Sequence, residues 1–282
     1  FYTDYADASR MTVDAVDGFR LCKVWDEHAD AAQCLAAVFT EPPQVCACVE
    51  DVSDDVDLVF IADCNGDGSD HLRLARPGLE KGVATFVDKP LAYSVEDAHQ
   101  IIGLATQHQV PLASASILDA LPDAARFARR LDEVGDLQFG CVQGGGPSLA
   151  GQIHTISLAQ RIFGDGVVRV RAMGDGGPNT IHLEYGDRND RPARGVTLNC
   201  DVGPVWHCAF HASAFGPAGA IHSPPMGDFD FPSGAAEILR QIQSMIHTGR
   251  TPATSGRMIE AVAVAEASRR AQATGQTIEV AR

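Results

Sequence analysis

The sequence predicts an α/β fold in which a parallel-sheet domain precedes an α+β domain built on a large, open, mostly antiparallel sheet. Two patterns support this. In the first half, short runs rich in Val, Ile, Leu and Phe alternate with helical stretches, and the runs show little polar alternation, as expected of strands covered on both faces. After about Leu118 the runs alternate polar with apolar residues and are punctuated by Gly and Pro, the texture of antiparallel strands. The expected division is therefore between residues 1–117 and 118–282.

In the first domain the expected strands are Phe19–Trp25, Gln44–Glu50, Leu58–Ala62, Ala84–Val87 and Val110–Ala115. Helices are expected at Thr3–Val16, Ala29–Val38, His71–Lys81 and Val95–His108. The last of these opens with Ser94 and carries Asp97 three residues on, a variant of the capping box. Strand and helix in regular succession imply crossover connections and a parallel sheet. In the second domain a helix over Pro122–Val134 is followed by a Gly-rich turn and a helical stretch ending at Phe163. Strands are expected in VVRVRAMG, TIHLEYGD, RGVTLNCDVG and VWHCAFHASAFG, then helices at Gly234–His247 and Gly256–Thr274, and a last short strand in TIEVA.

Charge excludes several classes of partner. A formal net charge of −15 is unsuited to phosphate backbones, which need clustered Lys and Arg, and would be repelled by an anionic membrane surface. No apolar run approaches the roughly 18 residues of a membrane span. The start of the chain shows no charged segment leading into an apolar stretch, so a secretory leader is not expected. Several of the 8 cysteines sit inside apolar runs (FRLCKVW, QVCACVE), where a thiol behaves as a small buried hydrophobe. Reduced thiols and a cytoplasmic protein are the expectation.

Parallel sheets bind ligands in the crevice beyond the carboxyl ends of their strands. Lys89 follows the run ATFV at such an end, with Pro90 fixing the backbone just beyond it. An ammonium there can donate a hydrogen bond or a proton to a substrate oxygen. Asp26 follows FRLCKVW in the same way. A carboxylate at that point either bonds the ribose hydroxyls of a dinucleotide and repels a 2′-phosphate, or caps the helix that follows. The run WHCAFHASAFGPAGAIH gathers His207, Cys208, His211 and His222, but it alternates like a strand, which would put residues four apart about 13 Å from one another, so no metal is expected. Cys46 and Cys48 are expected on one face of a buried strand. The Gly144–Pro147 run lacks the Lys-Ser/Thr of a phosphate loop and reads as a tight turn leading into the next helix.

The block DLVFIADCNGDGSDHLRLARPGLEKGVATFVDKPLAYSVEDAHQI resembles the Gfo/Idh/MocA family of NAD(P)-dependent oxidoreductases. In that family a strand ends in a short turn, a helix carries a His, and the next strand ends in Glu-Lys-Pro; here the triplet is Asp88-Lys89-Pro90. The resemblance continues through GDLQFG, HTISLAQRIFG and the C-terminal GRTPATSGRMIEAVAVAEASRRAQATGQTIEV, and so spans nearly the whole chain. It implies a Rossmann-type first domain, NAD or NADP as cofactor with Asp26 favouring NAD, and hydride transfer to or from a sugar, polyol or similar small molecule. It implies that Lys89 polarises the substrate oxygen and that His154 exchanges its proton. It also implies cofactor contacts at Asp26, Ala62, Asp63, Cys64, Asn65, His71, Asp88, Lys89 and Pro90, and a homodimer or homotetramer joined through the second-domain sheet.

Two departures qualify this. The family places Asp four residues before the His, where this chain has Ala150. A Rossmann domain also needs a first strand and a Gly-rich turn to hold the pyrophosphate at a helix N-terminus, whereas Tyr5, Ala8, Met11, Ala15 and Phe19 share near-helical spacing from the outset and no GxGxxG is near. The expectation is that a strand and turn of roughly a dozen residues are missing. The alternative is a catalytically impaired relative that acts as a ligand-binding or regulatory protein.

Overall fold

The computed structural model describes residues 13–62, 66–146, 148–174, 179–200 and 209–281. In the first half, β1 (Lys23–Val24) and β2 (Gln44–Val45) pair in parallel across α1 (Ala29–Ala37). A second parallel sheet follows, ordered β3 (Leu58–Ile61), β4 (Ala84–Val87), β5 (Leu112–Ser114). Its crossovers are α2 (His71–Glu80) and α3 (Val95–Gln107). As expected, Ser94 caps α3: its hydroxyl accepts from the Asp97 amide at 3.1 Å and donates to the Asp97 carboxylate at 2.7 Å.

The second half begins with α4 (Ile117–Ala120) and α5 (Pro122–Ala128). Next come β6 (Phe139–Gln143), α6 (Leu149–Phe163), β7 (Arg169–Met173), β8 (Thr180–Glu184) and β9 (Val196–Asn199). A hairpin of β10 (His211–Gly216) and β11 (Gly219–His222) precedes α7 (Phe231–Thr248), α8 (Gly256–Thr274) and the short β12 (Ile278–Glu279). The strands form one seven-stranded sheet ordered β11-β10-β6-β9-β8-β7-β12. Every neighbouring pair is antiparallel except β6 and β9. The mixed, open sheet agrees with the fold class read from the sequence.

One face of this sheet buries Val142, Val170, Ile181, Leu183, Val196 and Leu198 beneath α6 and α8. Helix α6 is enclosed on most sides, with ten of its residues buried. The other face carries Cys141, Arg171, His182, Thr197 and Ser213, all at least partly exposed. Helix α7 leaves the second half and docks on the first-half sheet, where Ile238, Ile242 and Met245 pack against Phe86, Ala113 and Ala115. The sheet that carries Lys89 is thus covered by α2 and α3 from its own half and by a helix supplied from near the C-terminus.

Some expected elements differ. The described end of the expected first helix, Val13–Val16, is not helical. The strand expected at Phe19–Trp25 contracts to Lys23–Val24. That expected at Gln44–Glu50 ends at Val45, with a 3-10 turn over Val49–Ser53. Cys46 is buried and Cys48 exposed, so the two thiols do not share a buried face. The parallel layer is divided, and a cleft of about 660 Å³ between β1 and β3 is lined by Val24, Trp25, Ile61 and Ala62. A two-stranded ribbon with no neighbour beyond β1 among the described residues has little to propagate its pairing, which accounts for the short strands. The helix expected over Pro122–Val134 breaks after Ala128 into a separate 3-10 turn over Leu131–Val134.

Ile242 is fully buried where α7 meets the sheet. Ile242→Ala is expected to lower the unfolding free energy by about 2–5 kcal/mol in urea titrations. A loss below about 1 kcal/mol would mean that α7 does not dock as described.

Candidate active site

Lys89 is positioned by what surrounds the turn after β4. The Asp88 amide donates to the Ile61 carbonyl at 3.0 Å, extending the β3–β4 ladder by one residue. The Asp88 carboxylate then accepts from the Lys89 amide at 2.8 Å, so this side chain shapes the backbone of its own turn. The Lys89–Pro90 peptide is cis. Below it lies His71, the first residue of α2 and fully buried; its Nδ1 is 2.8 Å from the Pro90 carbonyl. A carbonyl can only accept, so Nδ1 carries the proton and donates. Gly68, at φ +79°, closes the clamp. Its carbonyl accepts from the Tyr93 amide at 3.2 Å, and a Cβ there would approach Pro90 Cγ to 3.0 Å. Lys89 is held at 6 % exposure.

His154 comes from the other half. The turn from β6 into α6 runs through Gly144 and Gly145, with φ of +143° and +75°. A Cβ on Gly145 would lie 2.6 Å from the Gly151 carbonyl oxygen, and one on Gly144 would collide with the Phe210 ring, so the glycines permit strand and helix to meet closely. Thr155 Oγ1 donates to the Gly144 carbonyl at 2.8 Å, and Ser148 caps the helix by accepting from the Gly151 amide at 3.3 Å. The tight turn expected from the glycines is therefore present over Gly144–Gly146, but it joins two elements of the second half and does not link the halves; Pro147 lies outside the described residues.

The His154 ring is partly buried. Its Nδ1 lies 2.7 Å from Ser116 Oγ, and its edge meets Phe210 at a centroid distance of 6.3 Å. Burial, and then the Lys89 ammonium beside it, push His154 down from 6.5 to about 3. The imidazole is neutral at physiological pH, and it feels the charge of Lys89. The two residues singled out from the sequence, from opposite halves of the chain, are thus near enough for the charge of one to act on the ring of the other.

Ala150 lies one turn before His154 on the same face of α6, so no carboxylate reaches His154 from that position. Asp119 on α4 is buried nearby, but it is turned to Arg257 at 3.0 Å. Burial raises its pKa while Arg257 and Arg161 oppose the rise. Sequence reasoning missed Ser116 and Phe210. Ser116 could have been found by applying the strand-end rule to β5, as to β1, β3 and β4.

On the cofactor side, Asp26 is exposed beyond β1, and its Oδ1 accepts from the His28 amide at 2.8 Å. This bond closes a turn ahead of α1, whose N-cap His28 has no side-chain cap, so Asp26 does not fill the helix-capping role; it lines the cleft between β1 and β3, where Ala62 also lies. Asp63, Cys64 and Asn65 fall outside the described residues, as do His207 and Cys208. His71 is enclosed and faces the Lys89–Pro90 turn rather than the cleft. His211 and His222 are exposed, and His222 Nδ1 lies 2.8 Å from Ser213 Oγ on the neighbouring strand. Arg73 pairs with Glu27, approaches Asp70 at 3.7 Å and lies over the Trp25 ring at 5.8 Å.

Residues 5–116 match the family model described as the NAD-binding Rossmann fold of the GFO_IDH_MocA oxidoreductase family. Over these residues the chain is similar to the Gfo/Idh/MocA family. Solved structures extend the likeness of fold to the whole chain. A putative myo-inositol dehydrogenase from Sinorhizobium meliloti 1021 aligns with a TM-score of 0.75 at 18% identity, over 93% of this chain and 92% of that one. Apo scyllo-inositol dehydrogenase from Lactobacillus casei aligns with a TM-score of 0.77 at 15% identity, over 93% and 91%. An oxidoreductase from Agrobacterium radiobacter in complex with NAD+, L-tartaric acid and magnesium aligns with a TM-score of 0.71 at 17% identity, over 92% and 90%. No curated protein sequence matches the chain. Among the described residues, no helix is long and apolar enough to cross a membrane.

The depressed His154 has a measurable consequence. Between pH 6.5 and about 3 the unfolded chain binds a proton at this residue that the folded chain does not, so its contribution to stability falls as pH falls. Unfolding free energies of wild type and His154→Gln, compared across that window, should differ by an amount that changes by up to about 1.4 kcal/mol per pH unit, with the wild type losing more on acidification. Parallel pH profiles would show that His154 titrates normally in the fold.

Proposed function

We propose that the protein is a nicotinamide-dependent dehydrogenase that interconverts a hydroxyl and a carbonyl on a sugar, polyol or similar small molecule. The observation that carries this reading is the meeting of Lys89, at the carboxyl end of a parallel strand, with His154 from the second sheet layer. Ligands of parallel sheets lie at that edge, and a substrate held between the halves is within reach of both side chains. The inositol dehydrogenases of like fold support the substrate class.

The cofactor side fits in part. Ala62 beyond β3 and the Asp88–Lys89–Pro90 turn beyond β4 stand at neighbouring strand ends of one sheet, and Asp26 beyond β1 lines the same cleft as Ala62, between the two parallel sheets. With Asp63, Cys64 and Asn65, which follow Ala62 in the sequence, these residues would hold the cofactor. When bound, the nicotinamide would supply or accept hydride. An exposed carboxylate at Asp26 suits ribose hydroxyls and opposes a 2′-phosphate; Arg73, a cation at the same rim, is engaged by Glu27 and Asp70. NAD is therefore the preferred cofactor.

The chain's own residues hold and orient. Lys89 donates toward the substrate oxygen and stabilises the negative charge that develops there as hydride arrives. His154 completes the hydrogen bonding to the same oxygen from the opposite side, and the proton is exchanged with Lys89. The half-buried polar face of the seven-stranded sheet would join subunits as a homodimer or homotetramer. The free thiols of the six described cysteines suit a reducing cytoplasm.

A second reading, of a binding protein without turnover, draws on Ala150. Thermal melting that responds to neither NAD nor NADP in an intact protein would favour it. Under the enzymatic reading, Lys89→Ala should lower kcat by at least about 100-fold with NAD affinity unchanged within a few fold; an unaltered kcat removes Lys89 from the chemistry. Asp26→Ala should raise NADP affinity relative to NAD by about 10-fold in fluorescence titrations. No change for either cofactor would leave Asp26 only its turn bond to the His28 amide.

A further inference from the structure

The missing Asp at Ala150 leaves open what orients the His154 ring. The ring nitrogens of a neutral imidazole are a donor and an acceptor, and the partner of one decides the role of the other. At Nδ1 that partner is Ser116 Oγ, 2.7 Å away. Ser116 is fully buried and opens α4, where its Oγ already accepts from the Leu118 amide at 3.2 Å. Among the described residues, His154 Nδ1 is the acceptor within reach of the hydroxyl proton.

We propose that Ser116 is a positioning residue that donates its hydroxyl proton to His154 Nδ1, so that the neutral ring keeps its own proton on Nε2 and offers the substrate a hydrogen-bond donor. This rests on the reading of His154 as a group facing substrate. A serine from the end of β5 thereby takes over the orienting task that a carboxylate four residues before the histidine would perform. The two partners differ in effect. A carboxylate accepts from Nδ1–H and leaves Nε2 a bare base, whereas this hydroxyl donates to Nδ1 and leaves Nε2–H.

The competing force is the Lys89 ammonium, which favours a lone pair on the outward nitrogen. Against it stands the cost of leaving the Ser116 proton unsatisfied in the interior, since a buried polar group without a partner is strongly disfavoured. The other neighbours do not tip the balance. Phe210 is uncharged, and Asp119 on α4 is committed to Arg257 on α8. The low affinity of the ring for a second proton keeps it in a single neutral form through the range in which its tautomer can be read.

The test is the nitrogen-15 NMR spectrum of the His154 ring in the full chain without substrate, in wild type, Ser116→Ala and Ser116→Thr. Wild type and Ser116→Thr should show an unprotonated Nδ1 and a protonated Nε2, unchanged from pH 8 to pH 6 (both chosen near the ordinary histidine range). Ser116→Ala should move the tautomer ratio toward Nδ1–H by about 5- to 30-fold. A wild-type ring protonated at Nδ1, or an Ala variant with the wild-type ratio, overturns the assignment. If the Ala variant does not fold, the wild-type and Thr spectra decide alone, because the tautomer of each is named in advance. Failure to turn over any polyol would count against the enzymatic reading and leave this spectrum unaffected.

Discussion

The site depends on one hydrogen bond beneath it. The His71 ring, enclosed at the start of α2, holds the Pro90 carbonyl, and Gly68 fits under the same turn where a side chain would strike it. Asp88 fastens the turn from the other side through the Lys89 amide. A lysine normally has four rotatable bonds and a strong preference for water. Here the backbone that carries it is fixed at three points and the residue is almost fully enclosed. The entropy of ordering so flexible a side chain is met by the fold before any ligand arrives, which is the condition for electrostatic help in a reaction.

The same logic governs the opposite wall. Gly144 and Gly145 allow β6 to turn directly into α6, Thr155 ties the helix back to that turn, and His154 emerges one residue earlier on the helix. Phe210, fully buried, closes the ring from the sheet side and in turn meets Phe231 at the start of α7 edge to face. Because α7 continues onto the first-half sheet through Ile238, Ile242 and Met245, the two walls are mechanically linked. The geometry of Lys89 and His154 is thus a property of the whole packed chain.

Much of this was legible in the sequence, for identifiable reasons. Helices α2, α3 and α8 fall where apolar spacing and caps put them, and β4 coincides with its expected run because a strand enclosed on both faces writes a continuous apolar signature. β1 and β2 were overestimated because pairing depends on a neighbour that periodicity does not report. Lys89 could be read from its place at a strand end, whereas His154 required family likeness, since a histidine within an apolar helix is usually a packed one. Ser116 escaped because a serine before a helix reads as a cap. It does cap, and the same oxygen also meets His154. His71 was read as a neighbour of the cofactor segment because the turn before it suggested that line, but burial sends its ring inward.

The central claim is that the nicotinamide edge of a bound dinucleotide lies against both walls at once. Nuclear Overhauser measurements on protein saturated with NAD+, with Lys89 and His154 selectively labelled, test this most directly. The account predicts magnetisation transfer from the C4 proton of the nicotinamide to the Lys89 Cε protons and to the His154 ring. A bound nicotinamide that contacts neither, or that contacts residues on the outer face of the seven-stranded sheet, would contradict it.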